Sequence, residues 1–509
     1  MIGSQPACKP AFSQLVNRLL AFFAVLTFAL PAHAHIGSKD VYQEVNVGGY
    51  KLFVVIRTPK VIPGVAGIEV RSTGAAVRSI HITPTPLTGE AAKHPPTPDT
   101  MKASSADPNF FTGSLWLMAS GSWQVHFDLE GAAGTATAGV PVPAIPLSIL
   151  PMQRSLGILL AILGILLVAG ITGIVFAAVG QARLEPGVAP NQARRRRAWM
   201  ASAATLAIAL LFVYAGAKWW NAEAVGYAED VYRPLSLTPE LSGNRLTLKI
   251  GRYDRDARHR FRARSNDDLL PDHGHVMHLY AIREPGMDAV YHLHPALAPD
   301  NSLTMTLPSM PPGAYRLYAD IVHASGFPET LTADLVIPAD MSSAPLAAED
   351  ASAAPPPLSE GELGNAYKLP DGYTMIWDRP SDLSANQANA FRFRLIDAKG
   401  QPARDERPYL GMAGHAAFVK TDGTVFAHTH PEGSASMQAV MLANGGSENM
   451  DGTDGMDGSM ANPSSKVAQS LPPIVEFPYG FPSPGRYRIF IQMKHGGTVE
   501  TGVFDAEVH

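Results

Sequence analysis

Cysteine is almost absent from this chain of 509 residues, and the single one, Cys8, precedes the apolar core of a predicted export signal. Removal of that signal leaves no disulfide and no thiolate ligand, so any metal site must use histidine, methionine, carboxylate or backbone ligands. A basic surplus is absent too, since the formal net charge is -5, which argues against nucleic acid as a partner. Because no nucleophile, general base or cofactor motif is found, we expect a protein that is not an enzyme.

The N-terminus has the pattern of a cleaved export signal. Lys9 and Arg18 precede an apolar run over 19–30, and small residues follow up to Ala34. A charged segment, an apolar core of this length and an A-x-A site are typical of a signal peptide, because the run is too short to span a bilayer comfortably. We predict a signal peptide over 1–34, with His35 as the first residue of the mature chain.

Two longer apolar runs predict a transmembrane helix hairpin over 150–220. The short loop between them, 181–198, carries Arg183 and four consecutive arginines, Arg194–Arg197, against one acid, Glu185. The positive-inside rule places this loop in the cytoplasm, so both flanking regions lie outside. We therefore expect a two-pass protein of the cytoplasmic (inner) membrane whose N- and C-terminal domains face the extracytoplasmic, periplasmic side, with the lipid bilayer as a partner.

Outside the apolar runs the chain consists of short β-rich segments broken by glycine, proline and threonine. Strands at this spacing predict a mainly β protein with three immunoglobulin-like β-sandwich domains in addition to the helix hairpin. The predicted domains are an N-terminal sandwich over 35–146, a first repeat over 228–338 and a second repeat over 365–509. An Ala/Ser/Pro-rich linker over 341–364 joins the repeats, and an insertion rich in Met, Gly and Asp occupies 434–470.

The two C-terminal domains carry an internal repeat of histidines. Each copy has a strand that begins with histidine, a turn, an H-x-H-P sequence, and a later strand that ends with histidine. The matched positions are His278, His292, His294 and His323 in the first copy, and His415, His428, His430 and His495 in the second. Four matches that include an H-x-H pair favour metal binding over the alternative of buried structural histidines bound to backbone carbonyls.

Strand pairing predicts which of these histidines meet. Counting outward from the turn of each hairpin places His278 opposite His294, and His415 opposite His430. Directly opposed residues have Cβ atoms about 5 Å apart, which is close enough for two imidazoles to share an ion. Two different turns therefore predict the same cross-strand pair of histidines.

The remaining histidines are expected to join these pairs. His292 and His428 lie two residues before the second histidine of each pair, on the same face of the strand. His323 and His495 end the core-facing rows of a third strand in each copy. We therefore expect each set of four to converge at the mouth of its own sandwich, and the alternative is that only one copy binds.

All-imidazole sites suit copper, zinc or nickel, and nearby methionines favour copper over zinc. Met277 and Met412 lie close to the first histidine of each copy. Soft thioethers are also supplied by the methionines of the insertion: Met437, Met441, Met450, Met456 and Met460. The alternatives for the insertion are a flexible loop or, through its Asp-Gly run, a calcium site.

Three further histidines are candidate auxiliary ligands. His35 at the mature N-terminus would offer Cu(II) an α-amine and an imidazole, which is also the one feature in favour of a copper oxygenase. His273 and His275 lie just before the first copy and have no full counterpart in the second. For this pair the alternative is an ordinary loop.

The repeats, over most of 240–509, resemble YtkA-like β-sandwich domains of exported bacterial proteins. The resemblance is carried by Pro271-Asp272-His273-Gly274 with Met277-His278, by His292-Leu293-His294-Pro295 and by His428-Thr429-His430-Pro431. The N-terminal domain, with His35 and the strand start Gly121-Ser122-Trp123, looks like CopC-type or FixH-type modules. The resemblance implies periplasmic copper handling or oxidase assembly.

These observations lead us to expect a membrane-anchored extracytoplasmic metal-binding protein that captures, buffers or delivers copper through tandem histidine sites. Zinc is the second choice of metal, and the expected protein partner is a copper-accepting or copper-exporting membrane protein. The alternative is a non-catalytic scaffold that docks onto a membrane complex, such as an oxidase under assembly, and needs no metal.

Overall fold

The computed structural model describes residues 40–185, 187–252, 266–342, 344–445 and 471–509. The predicted signal peptide, His35 and the three later methionines of the insertion (Met450, Met456 and Met460) lie outside these residues. Within them the protein is mainly β, with six antiparallel sheets and three α-helices. The sheets lie face to face in three pairs, and each pair encloses its own hydrophobic core.

The first sheet pair precedes the long helices. Its strands are β1 (Val41–Val47), β2 (Tyr50–Arg57), β3 (Gly64–Ser72), β4 (Val77–Pro86), β5 (Asp99–Thr100), β6 (Lys102–Ala103), β7 (Phe110–Leu117), β8 (Gly121–Gly131) and β9 (Gly134–Ala144), with a 3-10 turn at Glu90–Lys93. The two strand orders are β1-β2-β3-β7-β6 and β5-β4-β8-β9. In β2 the alternating side chains of Leu52, Val54 and Ile56 are buried, because one face of the strand packs on the core.

Two long helices follow, α1 (Arg154–Gln181) and α2 (Gln192–Glu229). Both are long and apolar enough to cross a membrane, and almost none of their surface is buried against the rest of the protein. The side chain of Asn191 caps α2 by accepting a hydrogen bond from the backbone N–H of Arg194. The arginines at 194–197 therefore form the first turn of α2, and the loop between the helices is shorter than predicted.

The second sheet pair follows α2. Its strands are β10 (Leu237–Ser242), β11 (Arg245–Ile250), β12 (Leu269–Leu270), β13 (His278–Arg283), β14 (Val290–Leu293), β15 (Ala296–Leu297), β16 (Leu303–Thr306), β17 (Gly313–His323), β18 (Pro328–Ile337) and β19 (Ala351–Ala353). The smaller sheet has the order β10-β11-β16-β15, and the larger sheet has the order β12-β17-β13-β14-β19, with β18 paired to β17. The predicted linker thus supplies a strand, because β19 pairs with β14.

The third sheet pair completes the described chain. Its strands are β20 (Ala366–Lys368), β21 (Thr374–Asp378), β22 (Asn389–Ile396), β23 (Glu406–Arg407), β24 (His415–Lys420), β25 (Phe426–Thr429), β26 (Ile474–Tyr479), β27 (Gly485–His495) and β28 (Thr498–Val508), with a preceding 3-10 turn at Leu358–Glu360 and the helix α3 (Met437–Ala443). The smaller sheet is β20-β21-β22-β26, and the larger sheet is β23-β27-β24-β25, with β28 paired to β27. The start of the predicted insertion is therefore helical.

The second and third pairs pack against each other through the outer faces of their larger sheets. Side chains from both pairs form a separate apolar cluster: Tyr280, Ile282, Met287, Val290, Tyr318, Ala417, Val419, Phe426, Phe490 and Val503. The rings of Tyr318 and Phe426 stack across this interface, with centroids 4.4 Å apart. The interface exists because these strands carry apolar residues on both faces, as strands buried on two sides do.

The first sheet pair contacts the third around the helix α3. The backbone N–H of Tyr42 donates to the Ser434 hydroxyl, and the side chain of Asn444, at the end of α3, bonds both the N–H and the carbonyl of Gly139. The two ends of the helix hairpin also meet, since the N–H of Tyr232 donates to the carbonyl of Pro146 at 2.7 Å.

Candidate metal centre

The hairpins of both repeats have the register that the turns predict. The ladder pairs Leu279 with Leu293 and Tyr280 with His292, so His278 comes opposite His294, and their ring centroids lie 5.1 Å apart. In the third sheet pair Ala416 pairs with Thr429, which puts His415 opposite His430 with ring centroids also 5.1 Å apart. Each predicted cross-strand pair of imidazoles is present.

The expectation that each set of four converges at the mouth of its own sandwich was wrong. His278 pairs with Asp320, and both side chains share the outer face of the sheet with Tyr280, whereas the row of Ala319 and Ile321 faces the core. His323 ends that core-facing row, so it lies on the opposite side of the sheet from His278. The same parity separates His495 from His415, which pairs with Gln492. The other histidines meet between the two sheet pairs instead.

This interface holds two groups of three imidazoles, which we call trio A and trio B. Trio A consists of His278, His292 and His294, and trio B consists of His273, His415 and His430. Within each trio one ring nitrogen per residue lies within 4.8 Å of the others, as ligands of a single ion do. The trios are adjacent, because the rings of His278 and His415 lie 6.3 Å apart.

Trio A has outward hydrogen bonds that fix which nitrogens face inward. His278 Nε2 lies 3.1 Å from the carbonyl oxygen of Asp272, and His292 Nδ1 lies 2.8 Å from Gln492 Oε1. Both oxygens accept hydrogen bonds, so with the Gln492 amide in this orientation each neutral ring donates its one proton outward. The inward nitrogens, His278 Nδ1 and His292 Nε2, then face each other as lone pairs at 3.1 Å. A cation between them removes this repulsion.

The third member of trio A follows the same rule. His294 Nδ1 lies 3.0 Å from Asp350 Oδ1, and its Nε2 is buried without a hydrogen bond. Metal-binding histidines usually donate the N–H of the other ring nitrogen to such an acceptor, which fixes the tautomer and the orientation of the ring. With metal–nitrogen bonds of about 2.0 Å, a 3.1 Å separation of two ligands corresponds to an angle of about 100° at the ion.

Trio B spans the two sheet pairs. His273 reaches across from the second pair, and its ring centroid lies 4.7 Å from that of His430 and 5.4 Å from that of His415. Both ring nitrogens of His415 and the Nε2 atoms of His273 and His430 are buried without hydrogen bonds. A buried polar group without a partner costs about 1–3 kcal/mol, which a bound ion would recover.

His428 lies between the trios. Its ring centroid is 5.3 Å from that of His278 and 4.8 Å from that of His430. Its Nδ1 lies 3.3 Å from Asp320 Oδ2, and its Nε2 is buried without a hydrogen bond. His275 completes the group of eight histidines at the edge of trio A, with its ring 4.1 Å from that of His294 and its Nε2 3.1 Å from Glu349 Oε2.

Burial favours the neutral form of five rings of this cluster. It lowers the pKa values of His278, His292, His415 and His430 well below the ordinary value, and neighbouring histidines lower them further. Burial likewise lowers the pKa of His273 to about 4. Neutral imidazole is the form that binds metals, so the cluster is in its ligand state at neutral pH.

We expect metal-free protein to become less stable as the pH falls below about 6.5, the ordinary pKa of histidine. Below that pH the unfolded chain binds protons that the buried rings exclude, so stability is lost progressively until the pH reaches the lowered folded pKa, about 4 for His273. Thermal unfolding midpoints of chelator-treated protein at several pH values measure this loss.

A variant with His278 and His415 both replaced by glutamine should show a shallower acid dependence, because two of the rings that exclude protons are gone. An unchanged slope would contradict the assignment. His323 affects the pH dependence of stability in the opposite direction. Burial lowers its pKa, but hydrogen bonds to Glu329 and Asp268 and the charges of these acids raise it more. Its contribution to the free energy of unfolding is therefore lost as the pH rises through that raised pKa.

The two auxiliary methionines occupy different environments. Met277 is fully buried in the core of the second sheet pair, because it alternates with His278 and points to the opposite face. Met412 is buried in the turn that corresponds to the one holding His275. The prediction of Met277 as a ligand was therefore wrong.

Sequence reasoning missed the residues that orient the rings across the interface. Gln492 of the third pair contacts His292 of the second, and Asp320 of the second contacts His428 of the third. Gln492 pairs with His415 as Asp320 pairs with His278, so the two occupy equivalent positions in the repeat. A polar residue at the same outward position of both copies was the signal available in the sequence.

A cavity of about 110 Å³ adjoins the cluster. Its walls include His278, His428 and His430 together with Ile145 and Tyr232. These last two flank the helix hairpin in sequence, so the cavity connects the histidines with the part of the molecule that leads into α1 and out of α2.

Comparison with known proteins assigns no function to this centre. A family model described as "Domain of unknown function (DUF8832)" matches residues 241–338 and 367–509, just under half of the chain, and thus covers both histidine repeats. No curated protein matches.

Solved structures that are similar to the chain have low scores. They include a tetra-tandem repeat in the extending region of a large adhesion protein, with 9% identity, 89% of this chain and 72% of that chain covered, and a TM-score of 0.17. Trypsin-activated alpha-2-macroglobulin from Escherichia coli has 8% identity and a TM-score of 0.17, with 90% of this chain and 23% of that chain covered. Part of a 1.5-MDa bacterial ice-binding adhesin has 7% identity and a TM-score of 0.13, with 90% of this chain and 98% of that chain covered. Scores this low carry no argument about function.

Proposed function

We propose that the protein is a membrane-anchored, extracytoplasmic metal-binding protein whose centre is the histidine cluster between the second and third sheet pairs. The observation that carries the proposal is the pair of lone pairs of His278 and His292, which face each other at 3.1 Å while their outer nitrogens are fixed by acceptors. With both ring protons on the outer nitrogens this contact brings two acceptors together, and a bound cation relieves their repulsion.

Copper is the metal that the donors favour. The cluster offers only imidazole nitrogens as inward ligands, which suit copper, zinc and nickel, and copper has the highest affinity of the three for such donors. Neither trio contains a carboxylate ligand, so magnesium, calcium and manganese are poor candidates for it. We therefore keep copper as the first choice and zinc as the second.

Two adjacent trios favour two ions in one centre rather than one ion in each of two separate sandwiches. His273 belongs to the second pair but completes the trio of the third, and His428 lies against both trios. Ions held by the two trios would share one buried environment, because the rings of His278 and His415 lie 6.3 Å apart. Such a centre suits capture or storage followed by delivery to a membrane protein, because the adjoining cavity leads toward the helix hairpin.

The proposed setting rests on the rest of the chain. We infer that each sheet pair is an immunoglobulin-like sandwich, that α1 and α2 form a two-pass anchor in the inner membrane, and that all three sandwiches lie outside the cytoplasm. The arginines that begin α2 and the predicted export signal support this orientation.

Copper titration of the detergent-solubilised full chain tests the proposal. We expect wild-type protein to retain two more Cu(II) ions through gel filtration than a variant with His278, His294, His415 and His430 all replaced by alanine. Because Cu(II) ions this close interact magnetically, the electron paramagnetic resonance signal of fully loaded protein should be weaker than that of two isolated ions.

The matched control is His81→Ala, a partly exposed histidine of the first sheet pair that bonds Thr100. It should retain both ions. Equal copper retention by wild type and the fourfold variant would reject the metal centre and leave the scaffold as the better explanation.

A further inference from the structure

The two histidines that stayed outside the cluster, His323 and His495, end equivalent strands of 11 residues, β17 and β27. An acid pairs near each end in the same register, since Glu329 is opposite Ile321 and Glu500 is opposite Met493. A second acid precedes the short edge strand of each copy. These acids are Asp268 before β12 and Asp405 before β23. Both repeats therefore surround this histidine with carboxylates.

In the second sheet pair the arrangement is closed by hydrogen bonds. His323 Nδ1 lies 2.8 Å from Asp268 Oδ1, and its Nε2 lies 3.0 Å from Glu329 Oε2. Carboxylate oxygens accept, so the ring donates from both nitrogens and is an imidazolium held by two acids. It has no lone pair to offer a metal.

In the third sheet pair the equivalent histidine, His495, is not fully hydrogen-bonded. His495 Nδ1 is 3.5 Å from Asp405 Oδ2, and its Nε2 is 2.9 Å from Asp371 Oδ2, an acid without a counterpart around His323. This Nε2 is buried, yet it makes no hydrogen bond, so the two atoms are not oriented as donor and acceptor. Asp371, His495 and Glu500 each offer one ligand atom within 4.8 Å of the others.

A further buried carboxyl lies beside this group. Glu406, which is paired with His495 across the sheet, is 1% exposed, and neither of its oxygens makes a hydrogen bond. A cation bound beside His495 would offset the negative charge of these carboxylates.

We propose that Asp371, His495 and Glu500 form a metal site that is separate from the histidine cluster and takes a divalent cation that accepts mixed oxygen and nitrogen ligands, such as manganese or zinc. Two carboxylates and one imidazole suit these ions better than Cu(I). Asp371 is exposed, so an ion can reach the site from solvent. Its other carboxylate oxygen accepts a hydrogen bond from the N–H of Tyr373, which holds the side chain in place. Three protein ligands leave positions open for water.

Manganese is the probe that separates this site from the cluster, because imidazole-only trios bind it weakly. Mn(II) titration of the chelator-treated full chain, followed by the loss of the free-ion paramagnetic resonance signal, should give one bound ion. We expect Asp371→Asn and Glu500→Gln each to weaken that binding by at least about tenfold. In the paramagnetic resonance spectrum of bound Mn(II), the hyperfine coupling to one imidazole nitrogen should be present in wild type and absent in His495→Gln.

The first repeat provides the matched control. Glu329→Gln changes the equivalent acid around His323 and should leave Mn(II) affinity unchanged, as should the fourfold alanine variant of the histidine cluster. Thermal unfolding of each chelator-treated variant shows whether the fold is kept. The proposal is overturned if wild type binds no Mn(II), or if Asp371→Asn and Glu500→Gln bind it as wild type does. Either result leaves the copper titration unaffected.

Discussion

Replacing His273 by leucine is expected to remove one of two copper ions, although the residue lies outside the repeat that carries the rest of trio B. His273 and Leu410 occupy equivalent turns, each with φ of 50° followed by a glycine of positive φ. Leucine is therefore compatible with this backbone position. Without the imidazole, His415 and His430 are left as two ligands, and the affinity of that site should fall by at least about tenfold.

Metal analysis after gel filtration measures the result, and paramagnetic resonance gives an independent readout. The variant should retain one ion fewer per chain than wild type, and the ion in trio A should give the signal of an isolated Cu(II), because its neighbour is gone. His275→Met, which introduces the residue found at the equivalent position of the second copy, is the control and should retain both ions. Retention of two coupled ions by His273→Leu would show that trio B does not need the second sheet pair.

Replacing Asp505 by alanine is expected to destabilise the protein by about 3–5 kcal/mol, the usual cost of leaving a buried charge without its partner. Arg488 and Asp505 are both fully buried, and Nε and Nη2 of the arginine donate to the carboxylate at 2.8 and 3.0 Å. Burial raises the pKa of Asp505, but hydrogen bonds from Arg488 and from the N–H of Leu363, together with the charges of Arg488 and Arg486, lower it more, so the acid is charged. Arg488 also donates to the carbonyls of Met287 and Pro356, which joins the second pair to the third.

The repeat again provides the comparison. Arg316 and Asp334 form the equivalent cross-strand pair of the second sheet pair, but the side chain of Asp334 is 76% exposed. Asp334→Ala should cost less than about 1 kcal/mol, because water screens the pair. Thermal and denaturant unfolding of both variants measure the difference. A double replacement, Arg488→Met with Asp505→Leu, should recover most of the loss, and equal effects of Asp505→Ala and Asp334→Ala would refute the argument.

The sequence was sufficient for the local geometry of the candidate site. Hairpin turns determine register, so the opposition of His278 to His294 followed from counting residues outward from one turn. The long apolar helices and the mainly β class followed from the lengths and spacing of apolar runs. Each of these properties depends on residues that are close together in the chain.

The location of the site could not be obtained in the same way. It depends on how two sheets dock, which hairpin counting does not address. The apolar residues Tyr280 and Phe490 on the outer faces were the sign that these faces are covered, since a sandwich exposed to water has polar residues there. Placing His323 with His278 ignored the fact that paired residues share a face, so that Asp320, and not His323, lies beside His278.

The crossed contacts of the interface, His292 with Gln492 and His428 with Asp320, also bear on how the molecule arose. His292 and His428 are equivalent positions of the two copies, and so are Gln492 and Asp320. Exchanging the two copies therefore turns one contact into the other. This is the arrangement of an isologous dimer, in which one surface binds a second identical surface. Joined in a single polypeptide, such partners no longer have to stay alike, and one can keep a histidine where the other has Leu410.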